Sequence, residues 1–287
     1  TAQSVYDKMG PGIECSGGSA ANTIAAMASL GSRGAFIGKV RDDQLGTVFR
    51  HDITALGITF ETEAASDGAS TARCMIHVTP DAQRTMQTFL GACVSLGPDD
   101  IDEGIISAAA ATYLEGYLWD PDQAKQAFRK AATVAEQAGR QVALSLSDPF
   151  CVDRHRDDFL DLVKNHVNVV FANEEEIMSL YQVENFDEAL QMVRADCDIA
   201  ALTRSEKGSV IVRGDEVHIV DAEPVDHVVD TTGAGDAYAA GFLHGLTTDK
   251  PLDVCARLGG IAAAEIISHV GARPDVSLSD LVEKKLN

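Results

Sequence analysis

What this 287-residue sequence lacks narrows its chemistry first. Basic residues are scarce: 23 Lys and Arg stand against 44 Asp and Glu, a formal net charge of −21. Such a surface repels a phosphate backbone, which argues against any nucleic-acid partner. The acids are spread along the chain with no single-sign tail, so they act mainly to keep it in solution. Long apolar runs are missing, so no segment is long enough to span a bilayer, and no signal peptide is visible. The six cysteines, at 15, 74, 93, 151, 197 and 255, include no CxxC pair. A chain of 30.4 kDa needs no staples, so the thiols read as reduced and the location as cytoplasmic. The eight histidines show no HxxxH-type spacing and there is no GxSxG elbow, which leaves metallohydrolase and serine-hydrolase readings without a motif. The run 34-GAFIGK-39 is not a P-loop, because Arg33 replaces its first glycine and Val40 its Ser/Thr. GAGDAY lacks the third glycine of a dinucleotide fingerprint. Initiator Met is absent too: the chain opens TAQSVYDKMG in a helix-like pattern, so a preceding N-terminal piece is expected.

What is present reads as an ordinary globular chain, 45% hydrophobic and 23% charged, long enough for one large α/β domain with a small appendage. From Ala110 onward, β-rich runs at 112-TYLEGYLW-119, 141-QVALSLS-147, 167-VNVVFA-172, 198-DIAALT-203 and 209-SVIVR-213 alternate with helical stretches. The helical segments 122–139 and 187–195 repeat apolar residues every three to four positions. This alternation predicts a doubly wound, mostly parallel sheet with helices on both faces, whose ligands sit at the carboxyl ends of the strands. Residues 58–90 break the rhythm. ITFETEA, STARCMIHVT and RTMQTFL read as short strands with turns at Asp67-Gly68 and Pro80-Asp81, a small inserted β-lid. The expected division is therefore a large domain of 1–57 and 91–287, and a lid of 58–90. Two helical segments, roughly 235–247 and 252–269, close the chain.

Three motifs carry chemistry. In 230-DTTGAGDAYAAGF-242, Gly233, Ala234 and Gly235 precede a helix whose first turn holds Asp236. Glycines let backbone N–H groups converge on an anion, and a helix N-terminus favours one. An acid beside that anion suits a base. In 17-GGSAANTIAAMASLG-31, Gly18 and Asn22 either begin a small-residue packing helix or hold a polyhydroxylated ligand, since an amide both donates and accepts. In 173-NEEEIMSLY-181, Asn173 and Glu176 stand i,i+3 at a strand's end. They are either ordinary first-turn residues or oxygen ligands for a hydrated Mg²⁺. The segment 202-LTRSEKGSVIVR-213 reads as a hairpin turning at Gly208.

In order and spacing, GGSAAN, NEEE and DTTGAGDAYAAGF together resemble the ribokinase-like (PfkB) carbohydrate and nucleoside kinases, across essentially the whole chain. The resemblance implies an ATP-dependent phosphotransferase acting on an alcohol group. It implies Asp236 as catalytic base, and the Gly233, Ala234 and Gly235 backbone as an anion hole for the γ-phosphate. Asn173 and Glu176 match the motif that positions Mg²⁺ through water. Gly18 and Asn22 match sugar contacts, and Thr203 and Gly208 fall in the nucleotide region. Arg84 resembles an arginine that reaches the transferring phosphate. Asp230, Thr232 and Gly271 occupy positions that surround K⁺ in some relatives. There are two departures. Ser205 replaces the middle glycine of the nucleotide segment, and the chain opens past the first strand, where relatives carry a substrate-binding Asp. The stretches 11-PGIECSGGSAANTIAAMASLG-31, 113-YLEGYLWDP-121 and 86-MQTFLGAC-93 look most like the bacterial adenosine kinase-like branch, with Phe89 facing the base or simply packing the lid. Adenosine to AMP is the first expectation. A sugar kinase acting on ribose, fructose or 2-keto-3-deoxygluconate is the alternative, and a non-catalytic nucleoside or sugar sensor a distant third. As to assembly, the resemblance allows a monomer or a lid-mediated homodimer.

Overall fold

The computed structural model describes residues 10–79, 82 and 84–286. The helix-like opening stretch and the Pro80-Asp81 turn lie outside them. In chain order the elements are helices α1 (Ser19–Ser29) and α2 (Gln44–Ala55), then strands β1 (Arg73–Val78) and β2 (Arg84–Phe89), then α3 (Glu103–Ala108). There follow β3 (Ala111–Glu115), α4 (Asp122–Gln137), β4 (Gln141–Ser145), α5 (Pro149–Arg154), α6 (Arg156–Asn165), β5 (Val169–Asn173), α7 (Glu174–Tyr181) and α8 (Phe186–Asp196). The chain ends with β6 (Ile199–Thr203), β7 (Ser209–Arg213), β8 (Glu216–Val220), α9 (Ala234–Thr247), α10 (Leu252–Ile266) and α11 (Leu278–Leu286).

Strands β3 to β8 form one six-stranded sheet in sequence order. β3 to β6 run parallel; β7 and β8 turn back antiparallel. Successive strand residues point to opposite faces, and here both faces are covered. Val142, Leu144, Val170, Ala172, Ala200, Leu202, Val210 and Val212 pack under α4 to α8. The intervening Ala143, Val169, Phe171, Ile199, Ala201 and Ile211 pack against α9 and α10. That is why the strands read as continuous apolar runs. Fully buried Phe159 and Phe242 lie one on each side, each contributing about 1.5–3 kcal/mol of hydrophobic burial. Because the four parallel strands share a direction, Glu115, Ser145, Asn173 and Thr203 all end at one edge.

The structure corrects several expectations. The run 112–119 is a strand only to Glu115, after which Gly116–Trp119 winds into a 3₁₀ turn. The hairpin after β6 continues into a further antiparallel strand, β8, and a short α11 follows the two closing helices. In the lid, only β1 and β2 form a ladder, a separate two-stranded antiparallel sheet. ITFETEA does not join it. It makes isolated parallel bridges instead, Ala35 to Thr59, with Arg41 to Ala65 just beyond the run. Its apolar residues explain this: Ile58 and Phe60 are buried with Val40 and Ile53 in a cluster that Phe36 and Phe49 pack against.

Candidate active site

A cleft of about 3620 Å³ opens between the carboxyl edge of the sheet, the β1–β2 flap and α2, and runs along the outer edge of β3 toward residues 34–39. Nearly every residue singled out in the sequence lines it: Gly18, Asn22, Arg84, Asn173, Glu176, Thr203, Gly208, Asp230, Thr232, Gly233, Ala234, Gly235, Asp236 and Gly271.

Asp236 is in the first turn of α9, whose N-cap Gly233 has φ 82 and offers no side-chain cap. That left-handed conformation suits glycine, and a Cβ there would lie 2.7 Å from the Ala272 methyl. The first-turn amides of α9 have no intrahelical acceptors; Ala234 N–H donates to the Thr231 carbonyl at 3.3 Å, and the positive pole of the helix lies at the cleft. Two donors from α1 grip the carboxylate. Ser19 Oγ donates to one oxygen at 2.6 Å, and Asn22 Nδ2 to the other at 2.9 Å. Burial pushes the pKa of Asp236 up, against the pull of those two hydrogen bonds and of the Arg84 charge. A raised carboxylate is a stronger base. Asn22 Oδ1 is buried without a partner, which leaves an acceptor free for a ligand hydroxyl.

Asn173 caps α7 reciprocally with Glu176. Its side chain accepts from the Glu176 N–H at 2.8 Å, while Glu176 accepts from the Asn173 backbone and amide at 2.9 and 2.7 Å. The motif is thus a capping box, and both of its residues line the cleft. Burial lifts the Glu176 pKa to about 7; the Asn173 N–H opposes this, and Asp148 and Glu175 add to it. Among the described residues no three His, Cys, Asp or Glu make a metal cage. Oxygen donors without a cage fit Mg²⁺, which keeps most of its waters and leans on phosphates. Thr203 is the register partner of Asn173 on the next strand. Ser205, at the missing glycine, adopts φ 52 all the same.

Asp230 is buried and organises the loop. One carboxylate oxygen accepts from the Thr232 N–H and hydroxyl at 2.9 and 2.6 Å, the other from the Gly271 N–H at 3.2 Å. Burial acts to raise its pKa, but these donors and Arg84 outweigh it and hold it low. Arg84 crosses from the flap and donates to the Thr231 hydroxyl.

Of the two readings of Phe89, facing the base or packing the lid, the structure favours the second, since Phe89 does not line the cleft. In the β1–β2 register Cys74, Ile76 and Val78 pair with Thr88, Met86 and Arg84; of β2 only this alternate set lines the cleft, while on β1 Arg73 and Met75 line it as well. Phe89, one residue on from Thr88, pairs with Arg73 on the other face, its ring 6.0 Å from that guanidinium. Two residues were missed. Glu115, at the end of β3, accepts the Ala20 N–H at 2.7 Å, and burial lifts its pKa to about 7, the Ala20 bond opposing and Asp236 reinforcing. Asp148 caps α5 through the Phe150 N–H at 2.7 Å and lines the cleft. An acid ending an otherwise apolar strand was the available signal for Glu115; Asp-Pro after β4 was the signal for Asp148.

A carboxylate at a helix N-terminus without a side-chain cap, with Asn173 and Glu176 in the same cleft, suits phosphoryl transfer, and the chain is an ATP-dependent phosphotransferase that acts on a hydroxyl group. The chain belongs to the pfkB family of carbohydrate kinases, which it matches over residues 14–278. It is 51% identical to the adenosine kinase from Sinorhizobium meliloti, covering 99% of this chain and 87% of that one at a TM-score of 0.97. To a "probable sugar kinase protein" from Rhizobium etli CFN 42 it is 49% identical, covering 99% and 86%, with a TM-score of 0.97. The ATP-dependent ribose-1-phosphate kinase of Halopiger xanaduensis is 30% identical over 267 residues, 90% of this chain and 82% of that one.

Proposed function

We propose that the protein transfers the γ-phosphoryl group of ATP to a nucleoside hydroxyl, with adenosine as acceptor and AMP as product. One observation carries the choice of a nucleoside over a free sugar. The acceptor side of the cleft is walled by apolar side chains left open to solvent, from Leu45 at 42% exposed through Val48 and Met86 to Ile13 at 75%. A hydroxylated sugar gains nothing from such a wall. A planar base gains roughly half or more of the ~1.5–3 kcal/mol that fully burying each such side chain is worth, since they start about half to three-quarters exposed. The adenosine kinase likeness at 51% identity supports the same reading.

In this reading the acceptor hydroxyl lies between Asp236 and the free Asn22 Oδ1, with Gly18 alongside. Asp236 takes its proton as the oxygen attacks the γ-phosphorus; the new O–P bond forms while the bond to the β-phosphate oxygen breaks, releasing ADP. The amides of Gly233, Ala234 and Gly235, together with Arg84, receive the charge on the moving phosphoryl oxygens. Thr203 and Gly208 border the nucleotide. Asn173 and Glu176 would hold Mg²⁺ through its waters, and that ion would supply charge neutralisation on the phosphates. Asp230, Thr232 and Gly271 meet closely enough to frame a K⁺ site, and the flap 58–90 acts as a lid on the large domain of 1–57 and 91–287. We place the enzyme in the cytoplasm, as a monomer or as a dimer through the exposed flap edges.

Coupled ADP release with Mg-ATP, offering adenosine, other nucleosides, ribose, fructose and 2-keto-3-deoxygluconate with and without K⁺, tests this. Turnover confined to adenosine supports the proposal. Preference for a free sugar keeps the mechanism and overturns the acceptor. ATP binding without turnover on any acceptor favours a sensor.

A further inference from the structure

One short turn, Gly116–Trp119, separates Glu115 on the acceptor side of the cleft from the acids on its metal side, and it is pinned at both ends. At Gly116 a Cβ would lie 2.7 Å from the Ser145 carbonyl oxygen, so only glycine lets the chain pass this close to β4. Trp119 is fully buried against Phe128 and Phe159, and its Nε1 donates to Asp158 at 2.9 Å. Between these anchors Tyr117 lines the cleft with 42% of its surface exposed.

The same cleft holds Asp148, Glu176, Asp236 and Glu115. Burial first, and then each of these four carboxylates, pushes the Tyr117 phenol far above its ordinary range. Yet among the described residues its hydroxyl makes no hydrogen bond, although these four carboxylates line the same cleft. A donor on an anchored turn in an acidic cleft, spent on none of the acids, is open to an acceptor brought by the ligand.

We infer that the Tyr117 hydroxyl donates a hydrogen bond to a non-bridging oxygen of the transferring phosphoryl group, between Asp236 and the Asn173–Glu176 pair. This rests on the kinase reading proposed above. The role suits the chemistry of the site. Charge on the moving phosphoryl group must be met in a cleft that holds those four carboxylates, and the flap brings Arg84 and Arg73 to its lining. A phenol adds a donor from the β3 side without adding a group that titrates.

The test compares steady-state kinetics of the wild type with Tyr117→Phe, with Tyr117→Ala as a second variant. A hydrogen bond to a charged oxygen is worth roughly a 10- to 100-fold change. Tyr117→Phe should lower kcat by that factor, shift the acceptor KM by less than about threefold, and melt at the wild-type temperature. Full recovery of kcat at higher Mg²⁺ would assign the hydroxyl to a metal-bound water and overturn the inference. So would a Tyr117→Phe enzyme with wild-type kcat, whether Tyr117→Ala is impaired, which assigns the ring to packing, or not. Failure of the wild type to turn over any acceptor would defeat the kinase reading and the inference with it. Normal wild-type turnover beside an unaffected Tyr117→Phe defeats the inference alone.

Discussion

Replacing Asp236 by Asn separates catalysis from architecture more cleanly than any other change. The amide is isosteric with the carboxylate, and the two contacts survive. The amide oxygen can keep the Asn22 Nδ2 bond, while the NH₂ group turns to Ser19, whose hydroxyl can rotate to accept. What disappears is the proposed base. General-base catalysis is typically worth ~10²–10⁴-fold, about 3–5 kcal/mol of transition-state stabilisation. At saturating Mg-ATP and acceptor, kcat should therefore fall at least ~100-fold, with KM for either substrate moving less than about threefold. Stability should move the other way. Burial raises the Asp236 pKa in the folded state, so the unfolded chain ionises first as pH rises, and the folded state loses stability above the ordinary Asp range. The Asn variant escapes that loss and should melt a few degrees higher at pH 8. An Asp236→Asn enzyme with near-wild-type kcat would refute the assignment of the base. One with low kcat and a collapsed melting temperature would refute the claim that the contacts survive.

Other expectations follow from the same geometry. Met86→Ala should raise the adenosine KM about tenfold, one well-packed apolar contact, while Phe89→Ala on the opposite face leaves it unchanged; equal effects would refute the strand register. Glu115, held near pKa 7 by burial, makes the folded protein bind more protons than the unfolded chain between about pH 4.5 and 7, so stability falls as pH rises through that window. Glu115→Gln should remove on the order of 2 kcal/mol of that fall, read as a flatter dependence of melting temperature on pH from 5 to 8. Ser205→Gly should stabilise the protein by up to about 1 kcal/mol, since leaving the left-handed penalty outweighs glycine's extra chain entropy. A lower denaturation midpoint in urea would contradict this.

The parts legible in the sequence are those where one residue type answers one physical demand. Continuous apolar runs between helical periods announced a parallel sheet, and glycines before Asp236 announced a helix start open to an anion. The less legible parts turned on distance or on a choice between faces. Phe89 and Met86 are both apolar, and only the strand register decides which of them reaches the cleft. ITFETEA has a good strand pattern, but Ile58 and Phe60 found a nearer apolar partner in the cluster around Ile53. Glu115 was hidden because an acid at a strand's end is common. Its importance comes from burial beside the Ala20 amide, on a helix far away in sequence. The Asn173–Glu176 motif allows either a cap or a cation holder; the structure shows the cap and leaves the pair at the cleft, where the cation role is part of the proposal.

The loop from Asp230 to Asp236 is tied to three distant parts of the chain. Ser19 and Asn22 lie 217 and 214 residues from Asp236, Arg84 lies 147 from Thr231, and Gly271 lies 41 from Asp230. Contacts of such long sequence separation must wait for the loops between them to close, which makes them slow to form. The sheet and its helices, built from neighbouring segments, can assemble earlier. Refolding from denaturant should then regain helical signal well before catalytic turnover. Enzymatic activity would thus report on completion of the last long-range docking steps, and not on the bulk of the fold.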